Sequence, residues 1–111
     1  MSNQFVTVED TFDAAHTLPS HGPWKHGHGY RVAVTVNDVD TFSLPEALHD
    51  IVGELHLRDL DEMLTGSKEQ SNLTTIAAWI MERLTLRFQR ISRVEVWENE
   101  KTHGGVTREL R

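Results

Sequence analysis

Apolar and polar residues alternate over the first third of the chain in a pattern typical of two β-strands. The first strand is predicted from Phe5 to His16, where one parity carries Val6, Val8, Phe12, Ala14 and His16. Asp10 interrupts this apolar row, so we expect a β-bulge there. The second strand is predicted from His26 to about Asn37, with an apolar face made by Tyr30, Val32, Val34 and Val36. The segment Thr17–Lys25 contains Pro, Gly and Ser and is predicted to be a loop, which makes the strands an antiparallel pair.

Helical spacing replaces this alternation in the middle of the chain. A first helix begins at Ser43, which suits the N-cap of a capping box completed by Glu46, with Pro45 in the first turn. Its apolar stripe is Leu48, Ile51, Val52 and Leu55, and it continues through Leu60, Met63 and Leu64 after an adjustment near Gly53. Thr65-Gly66-Ser67 is a predicted break.

A second helix and two further strands complete the predicted order ββααββ. The helix runs from Asn72 to Phe88 with a stripe of Leu73, Ile76, Ala77, Ile80, Leu84 and Phe88. A third strand is predicted at Ile91–Lys101 and a short fourth at Gly105–Leu110, separated by Thr102-His103-Gly104. The fold class is therefore α+β, with an antiparallel sheet packed by two helices.

Composition narrows the classes of protein. The 111 residues suit one domain, spanning 1–111, and the net charge of -6 argues against binding to nucleic acid. No stretch approaches the apolar length of a membrane span, so we expect none. We expect a cytoplasmic location because the N-terminal sequence lacks the pattern of a signal peptide. The chain has no cysteine, so disulfides and thiolate ligands are excluded, and a transition-metal site would use imidazole and carboxylate.

Histidines are the densest chemical feature, because His16, His21, His26 and His28 fall within thirteen positions. His26 and His28 point to one face of their strand, and pairing of the two strands brings His16 beside them. Three imidazoles with an open fourth position suit a catalytic Zn²⁺. The alternative is that these rings are hydrogen-bonded core or loop histidines with no common target. His21 falls in the predicted loop.

Glu98 is the second candidate feature. It continues the inward row of Val94 and Val96, where an unpaired carboxylate would be costly. A ligand with a guanidine-like edge would supply two N–H donors to it. The alternative is that the strand ends there and Glu98 is solvated.

Four motifs occur in an order that resembles the 6-pyruvoyl-tetrahydropterin synthase and 6-carboxy-tetrahydropterin synthase (QueD-like) family. They are Phe12-Asp-Ala-Ala-His16, His26-Gly-His28, the helical segment 77–84, and Val94-Glu-Val-Trp-Glu98, so the resemblance spans nearly the whole chain. It implies the tunnelling fold (T-fold), whose subunits assemble into barrels, commonly as trimers paired into hexamers. It also implies Zn²⁺ on His16, His26 and His28, sites between subunits, and dihydroneopterin triphosphate as substrate. By the same resemblance, Glu98 matches the family's glutamate that binds the amino edge of the pterin ring.

The sequence departs from the family pattern in its proton-transfer residues. The segment Ser20–Lys25 is shortened and lacks the cysteine base that usually precedes the HGH motif. The family's Leu-Asp-His-Arg-Asp-Leu stretch reads Leu-His-Leu-Arg-Asp-Leu at 55–60, so His56 and Leu57 replace an Asp-His pair. His56, His21 and Asp59 are the candidates for the missing general base, and His56 is the predicted catalytic residue together with Glu98.

Three functions remain open from the sequence. The favoured one is a zinc-dependent, pterin-synthase-like lyase with altered chemistry, acting on dihydroneopterin triphosphate or a related pterin or purine-like compound. The alternative is a non-catalytic, oligomeric pterin- or purine-binding module that retains zinc. The third is a structural oligomer in which zinc orders the hairpin.

Overall fold

The computed structural model describes residues 4–17, 25–37, 42–64 and 72–110, without the side chains of 16, 17, 25 and 26. The elements in chain order are β1 (Val6–Thr17), β2 (Lys25–Val36), α1 (Leu44–Leu55), α2 (Leu60–Met63), α3 (Leu73–Thr85), β3 (Ile91–Trp97) and β4 (His103–Thr107). This order confirms the predicted α+β fold, with the single turn of α2 as an addition. The predicted break at 65–67 and most of the predicted loop, residues 18–24, lie outside the described residues.

All four strands form one antiparallel sheet in the order β1-β2-β3-β4. The helices pack against one face, where Val32 and Val34 of β2 and Val94 of β3 are completely buried. The opposite face carries polar and charged side chains, among them Glu9, Arg31 and Glu95. The alternation read from the sequence therefore separates a core face from a polar face, as a half-buried sheet requires.

The β1–β2 pairing is continuous from Val6↔Val36 to Thr17↔Lys25, so the predicted bulge at Asp10 is wrong. Asp10 keeps its place in the apolar row because it finds polar partners there. Its Oδ2 lies 2.9 Å from Nδ1 of His49 on α1, and its Oδ1 accepts the backbone N–H of Thr11 over 2.7 Å. A half-buried carboxylate with such partners is tolerated in the row, so no extra residue is needed.

Both predicted helices begin where the sequence indicated, although one capping mechanism differs. Ser43 precedes α1 but has α-helical backbone angles and no side-chain cap hydrogen bond, so the capping-box prediction is wrong. Asn72 caps α3 in the ordinary way, since its Oδ1 accepts the N–H of Thr75 over 2.8 Å. α1 stops at Leu55 instead of adjusting at Gly53, and α3 stops at Thr85, before Phe88.

The turn between β3 and β4 comes earlier than predicted. The side chain of Asn99 accepts the backbone N–H groups of Lys101 and Thr102 over 2.8 and 2.9 Å, which closes a tight Asx turn. Consequently β3 ends at Trp97 instead of Lys101, and β4 begins at His103 instead of Gly105. None of the helices within the described residues is long and apolar enough to cross a membrane.

Candidate metal and ligand site

The register of the β1–β2 hairpin brings the three candidate metal ligands together at the backbone level. His16 lies directly opposite His26, and His28 lies opposite Ala14 one step further along. Residues opposite each other in an antiparallel pair share a face, as do residues two apart in one strand. The backbone positions of His16, His26 and His28 therefore share one face at one end of the hairpin.

Side-chain coordination at this position stays a prediction. The side chains of His16 and His26 lie outside the described part of the structure. Among the side chains that are described, no group of three or more histidine, aspartate or glutamate residues is arranged to hold a metal ion.

The imidazole of His28 stands at the end of an aromatic row on the core face. It makes an edge-on contact with the ring of Tyr30, with centroids 5.6 Å apart and planes at 66°. Tyr30 in turn stacks on Phe12, its partner across the strands, with centroids 4.9 Å apart. Phe12 and Tyr30 are buried, so the row gives the half-buried His28 ring a fixed neighbour.

The pKa of the Tyr30 phenol reflects the charges around the site. Burial raises the pKa of its phenol well above the ordinary value, and the negative charges of Glu98 and Asp61 raise it further. Glu98 is therefore near enough to the same aromatic row to act on it. The predicted ligand-binding carboxylate and the predicted metal ligand His28 share one neighbour.

A cavity of about 540 Å³ opens beside His28. Its lining comes from β1, β2 and the segment between α1 and α2, and consists of Asp13, Ala14, Ala15, Gly27, His28, Gly29, Leu57, Arg58 and Asp59. A larger cavity of about 640 Å³ shares Asp13 and Gly29 with it but contains none of the predicted metal ligands. We therefore take the smaller cavity, called the His28 cavity below, as the candidate site.

Residues 57–59 form one wall of the His28 cavity because hydrogen bonds hold them against the free edge of β1. Leu57 N–H donates to the carbonyl of Asp13 over 2.6 Å, and Ala15 N–H donates to the carbonyl of Arg58 over 3.2 Å. A parallel bridge between Ala15 and Asp59 extends the pairing. The wall is thus a short extension of the sheet, and it ends one residue before His16.

Leu57 adopts a left-handed backbone conformation, with φ of 60°, although it is not glycine. This conformation costs a Cβ-bearing residue roughly 1–2 kcal/mol, and such strain is often found at functional sites. Its side chain is 76% exposed at the rim of the His28 cavity. An apolar side chain thus stands where the family resemblance places a histidine.

His56, the predicted catalytic residue, forms the first of these edge contacts. Its Nδ1 accepts the backbone N–H of Asp13 over 3.1 Å, and the ring is not part of the cavity lining. A neutral imidazole that accepts at Nδ1 carries its proton on Nε2, so neither nitrogen is then a ready proton acceptor. This geometry favours a positioning role, and catalysis by His56 stays a prediction.

Glu98 is the first residue after β3 and lies outside the strand. Val94 and Val96 are buried as the row predicted, and Glu98 follows them half-buried, with its N–H donating to the carbonyl of Thr102 over 3.2 Å. Binding of a ligand by its carboxylate stays a prediction.

Sequence reasoning missed Asp13 and Arg58 as lining residues of the His28 cavity. Asp59 was named only as one candidate base among three, and it also caps α2 by accepting the N–H of Asp61 over 3.0 Å. Pairing between a helix–helix connection and a strand edge has no local signature. The available signal was the sequence similarity of residues 55–60 to the family motif.

Comparisons with known proteins agree on one family and one fold. The family model described as 6-pyruvoyl tetrahydropterin synthase matches residues 5–109. The 6-pyruvoyl tetrahydropterin synthase of Caenorhabditis elegans is structurally similar, with a TM-score of 0.78, 21% identity, and coverage of 98% of this chain and 100% of that one. The 6-pyruvoyl tetrahydropterin synthase of Plasmodium falciparum has a TM-score of 0.74 and 18% identity, with coverage of 99% of this chain and 100% of that one.

A Plasmodium vivax 6-pyruvoyltetrahydropterin synthase, in a variant whose catalytic glutamate is replaced by alanine, gives a TM-score of 0.76 at 17% identity, with 99% and 100% of the two chains covered. At these identities the structural likeness shows the fold. No curated protein sequence matches the chain significantly.

Proposed function

Because the chain belongs to the 6-pyruvoyl tetrahydropterin synthase family, we propose that it is a zinc-dependent lyase acting on dihydroneopterin triphosphate or a related pterin or purine-like compound. The observation that carries this proposal is the hairpin register, in which His16 faces His26 and His28 follows on the same face. We further propose that its proton transfer differs from the usual family chemistry, and that it acts in the cytoplasm.

The residues at the hairpin end fit a zinc ion. His16, His26 and His28 would hold it, and three neutral imidazoles are a ligand set that zinc accepts in catalytic sites. The half-buried His28 ring borders the cavity and is held by Tyr30, which supports a preformed position for one ligand. When bound, zinc would supply Lewis acidity to oxygens of the substrate side chain.

Glu98 would bind the ring of the substrate. A carboxylate accepts two parallel N–H bonds from an amino-pyrimidine edge, and such charge-assisted bonds are stronger than neutral ones. Half-burial of Glu98 strengthens them by lowering the local dielectric. The negative charge that Glu98 exerts on Tyr30 supports its place beside the aromatic row and His28.

Proton transfer needs a group other than cysteine, because the chain has none. A glutamate is the catalytic residue in the Plasmodium vivax enzyme, so a carboxylate serves that role in a protein of this fold. Asp59 borders the same cavity as His28, whereas His56 does not. We therefore propose Asp59 as the proton acceptor and retain His56 as the residue that positions it.

Self-association as trimers or hexamers is part of the proposal. β1 and β4 are the edge strands of the described sheet, and residues 57–59 cover β1 only at Asp13–Ala15. Exposed sheet edges are normally paired or blunted. Pairing of edges between subunits would close a barrel.

Incubation of zinc-loaded protein with dihydroneopterin triphosphate and related pterins, followed by mass spectrometry, tests the proposal. We expect a new pterin product, and its formation should stop when zinc is chelated. Absence of turnover across the panel would defeat the proposal that the chain is a lyase.

A non-catalytic pterin- or purine-binding module is the second candidate. The observation that favours it is the loss of both the cysteine and the Asp-His pair, with His56 Nδ1 used in a backbone hydrogen bond. It predicts that ligands raise the melting temperature without forming product, and that Glu98→Ala abolishes this stabilisation.

A further inference from the structure

Arg58 differs from the other arginines of the described chain in having an uncommitted side chain. Six of the seven arginines within residues 4–17, 25–37, 42–64 and 72–110 use their guanidinium groups in contacts within the protein. Arg31 contacts Glu9 and Trp97, Arg83 lies over Trp79, Arg87 over Phe88, Arg90 donates to Asn37, Arg93 pairs with Glu95, and Arg108 donates to Ile91 and Gln89. Among these seven arginines of the described ranges, only Arg58 has a side chain without a hydrogen bond, ion pair or aromatic contact.

The backbone of Arg58, in contrast to its side chain, is held against β1 by hydrogen bonds. Its carbonyl accepts the N–H of Ala15, and Leu57 before it and Asp59 after it also contact β1. An exposed guanidinium is therefore carried by a fixed backbone at the border of the His28 cavity. A backbone that is already ordered lowers the entropic cost of binding a ligand through this group.

Charge makes this placement informative. The chain has a net charge of -6, and the same cavity carries the carboxylates of Asp13 and Asp59. An anionic ligand would be repelled by the protein as a whole and needs a local cation at the site. The guanidinium offers planar, paired N–H donors that match phosphate oxygens.

We propose that Arg58 is the anion-binding residue of the His28 cavity and holds a phosphate group of the ligand, which makes it a residue that selects phosphorylated compounds. This inference rests on the proposed function for the identity of the ring that the phosphate accompanies. The anion-binding role itself is testable without a pterin.

The test measures binding of three probes to zinc-loaded protein by calorimetry: dihydroneopterin triphosphate, dihydroneopterin without phosphate, and inorganic tripolyphosphate. Arg58→Gln should weaken binding of the two phosphate probes by roughly 10- to 100-fold and leave the affinity for dihydroneopterin unchanged. Arg58→Lys should fall between the wild type and the glutamine variant. Arg87→Gln, outside the cavity lining, should change none of the three affinities.

Glutamine keeps the backbone carbonyl that Ala15 uses, so the melting temperature of Arg58→Gln should match that of the wild type. Equal affinities of wild type and Arg58→Gln for the phosphate probes, an equal loss for all three probes, or a wild type that binds no tripolyphosphate while its two pterin affinities are equal would overturn the inference. If the wild type binds neither pterin but binds tripolyphosphate through Arg58, the proposed function fails and the anion site stands. If no probe binds at all, both fail.

Discussion

The Nδ1 atom of His56 accepts a hydrogen bond from the backbone N–H of Asp13 over 3.1 Å. The contact joins the C-terminal cap of α1 to the edge of β1, three residues before His16. A residue that the sequence presented as a proton carrier is thus placed to hold the connection between α1 and α2 against the hairpin. Its substitution separates the two roles.

We expect His56→Ala to lower the free energy of unfolding by about 1 kcal/mol, because it leaves the Asp13 N–H without its acceptor. His56→Asn should recover most of this loss, since an amide oxygen can accept the same N–H. Chemical denaturation measures both variants. If positioning is the whole role, the asparagine variant also recovers turnover or ligand binding, whereas a proton-transfer role predicts that asparagine is as inactive as alanine.

Zinc content provides the second prediction. Alanine at His16, His26 or His28 should abolish stoichiometric zinc in the purified protein, because a three-imidazole site loses much of its affinity with each ligand. His49→Ala is the matched control: His49 of α1 pairs with Asp10 of β1, so its loss should leave the zinc content unchanged. Elemental analysis of the metal-loaded proteins measures the outcome. Full zinc occupancy in His28→Ala would show that the metal does not bind at this hairpin.

The hairpin itself was readable from the sequence, and the reasons are local. The alternation in β1 and β2 reflects the burial of one sheet face, so parity alone placed His26 and His28 together and pairing added His16. The early turn at Asn99 was missed because its side chain captures two backbone N–H groups, a local competition that hydrophobic pattern does not register. The cavity wall at 57–59 was missed because its partner, β1, lies more than forty residues away in sequence.

Ligand binding through Glu98 gives the third prediction. Glu98→Gln should weaken binding of a pterin by roughly 10- to 100-fold, because it replaces charge-assisted bonds and presents an N–H group to the donors of the ring edge. Titration followed by intrinsic fluorescence measures the affinity. Glu54→Gln, on the exposed side of α1, controls for the change in net charge. Unchanged pterin affinity in Glu98→Gln would mean that another group recognises the ring.

Two glycines predict opposite effects of one substitution. A Cβ on Gly105 would lie 2.3 Å from the carbonyl oxygen of Val94, so Gly105→Ala forces β3 and β4 apart and should destabilise the fold by roughly 1–3 kcal/mol. Gly53 lies within α1, and nothing lies within 4 Å of its added Cβ. Gly53→Ala should therefore stabilise the protein by about 0.5–1 kcal/mol through helix propensity. Thermal unfolding of both variants checks the sign of each effect. A stabilising Gly105→Ala would contradict the close approach of β3 and β4, and a destabilising Gly53→Ala would contradict the open position on α1.

Tyr30 makes the stability of the protein sensitive to alkaline pH. Burial, followed by the charges of Glu98 and Asp61, raises the pKa of its phenol above that of the unfolded chain. The neutral phenol therefore contributes stability that is fully present below pH about 10 and is lost progressively as the pH rises above the unfolded pKa. Since Tyr30 is the only tyrosine of the chain, phenolate absorbance reports this residue alone. In metal-free protein we expect the phenolate to appear together with unfolding. Tyr30→Phe should lessen the loss of stability at alkaline pH. A phenolate that forms near pH 10 in the folded protein would contradict the prediction, because it would show that the ring is accessible to water.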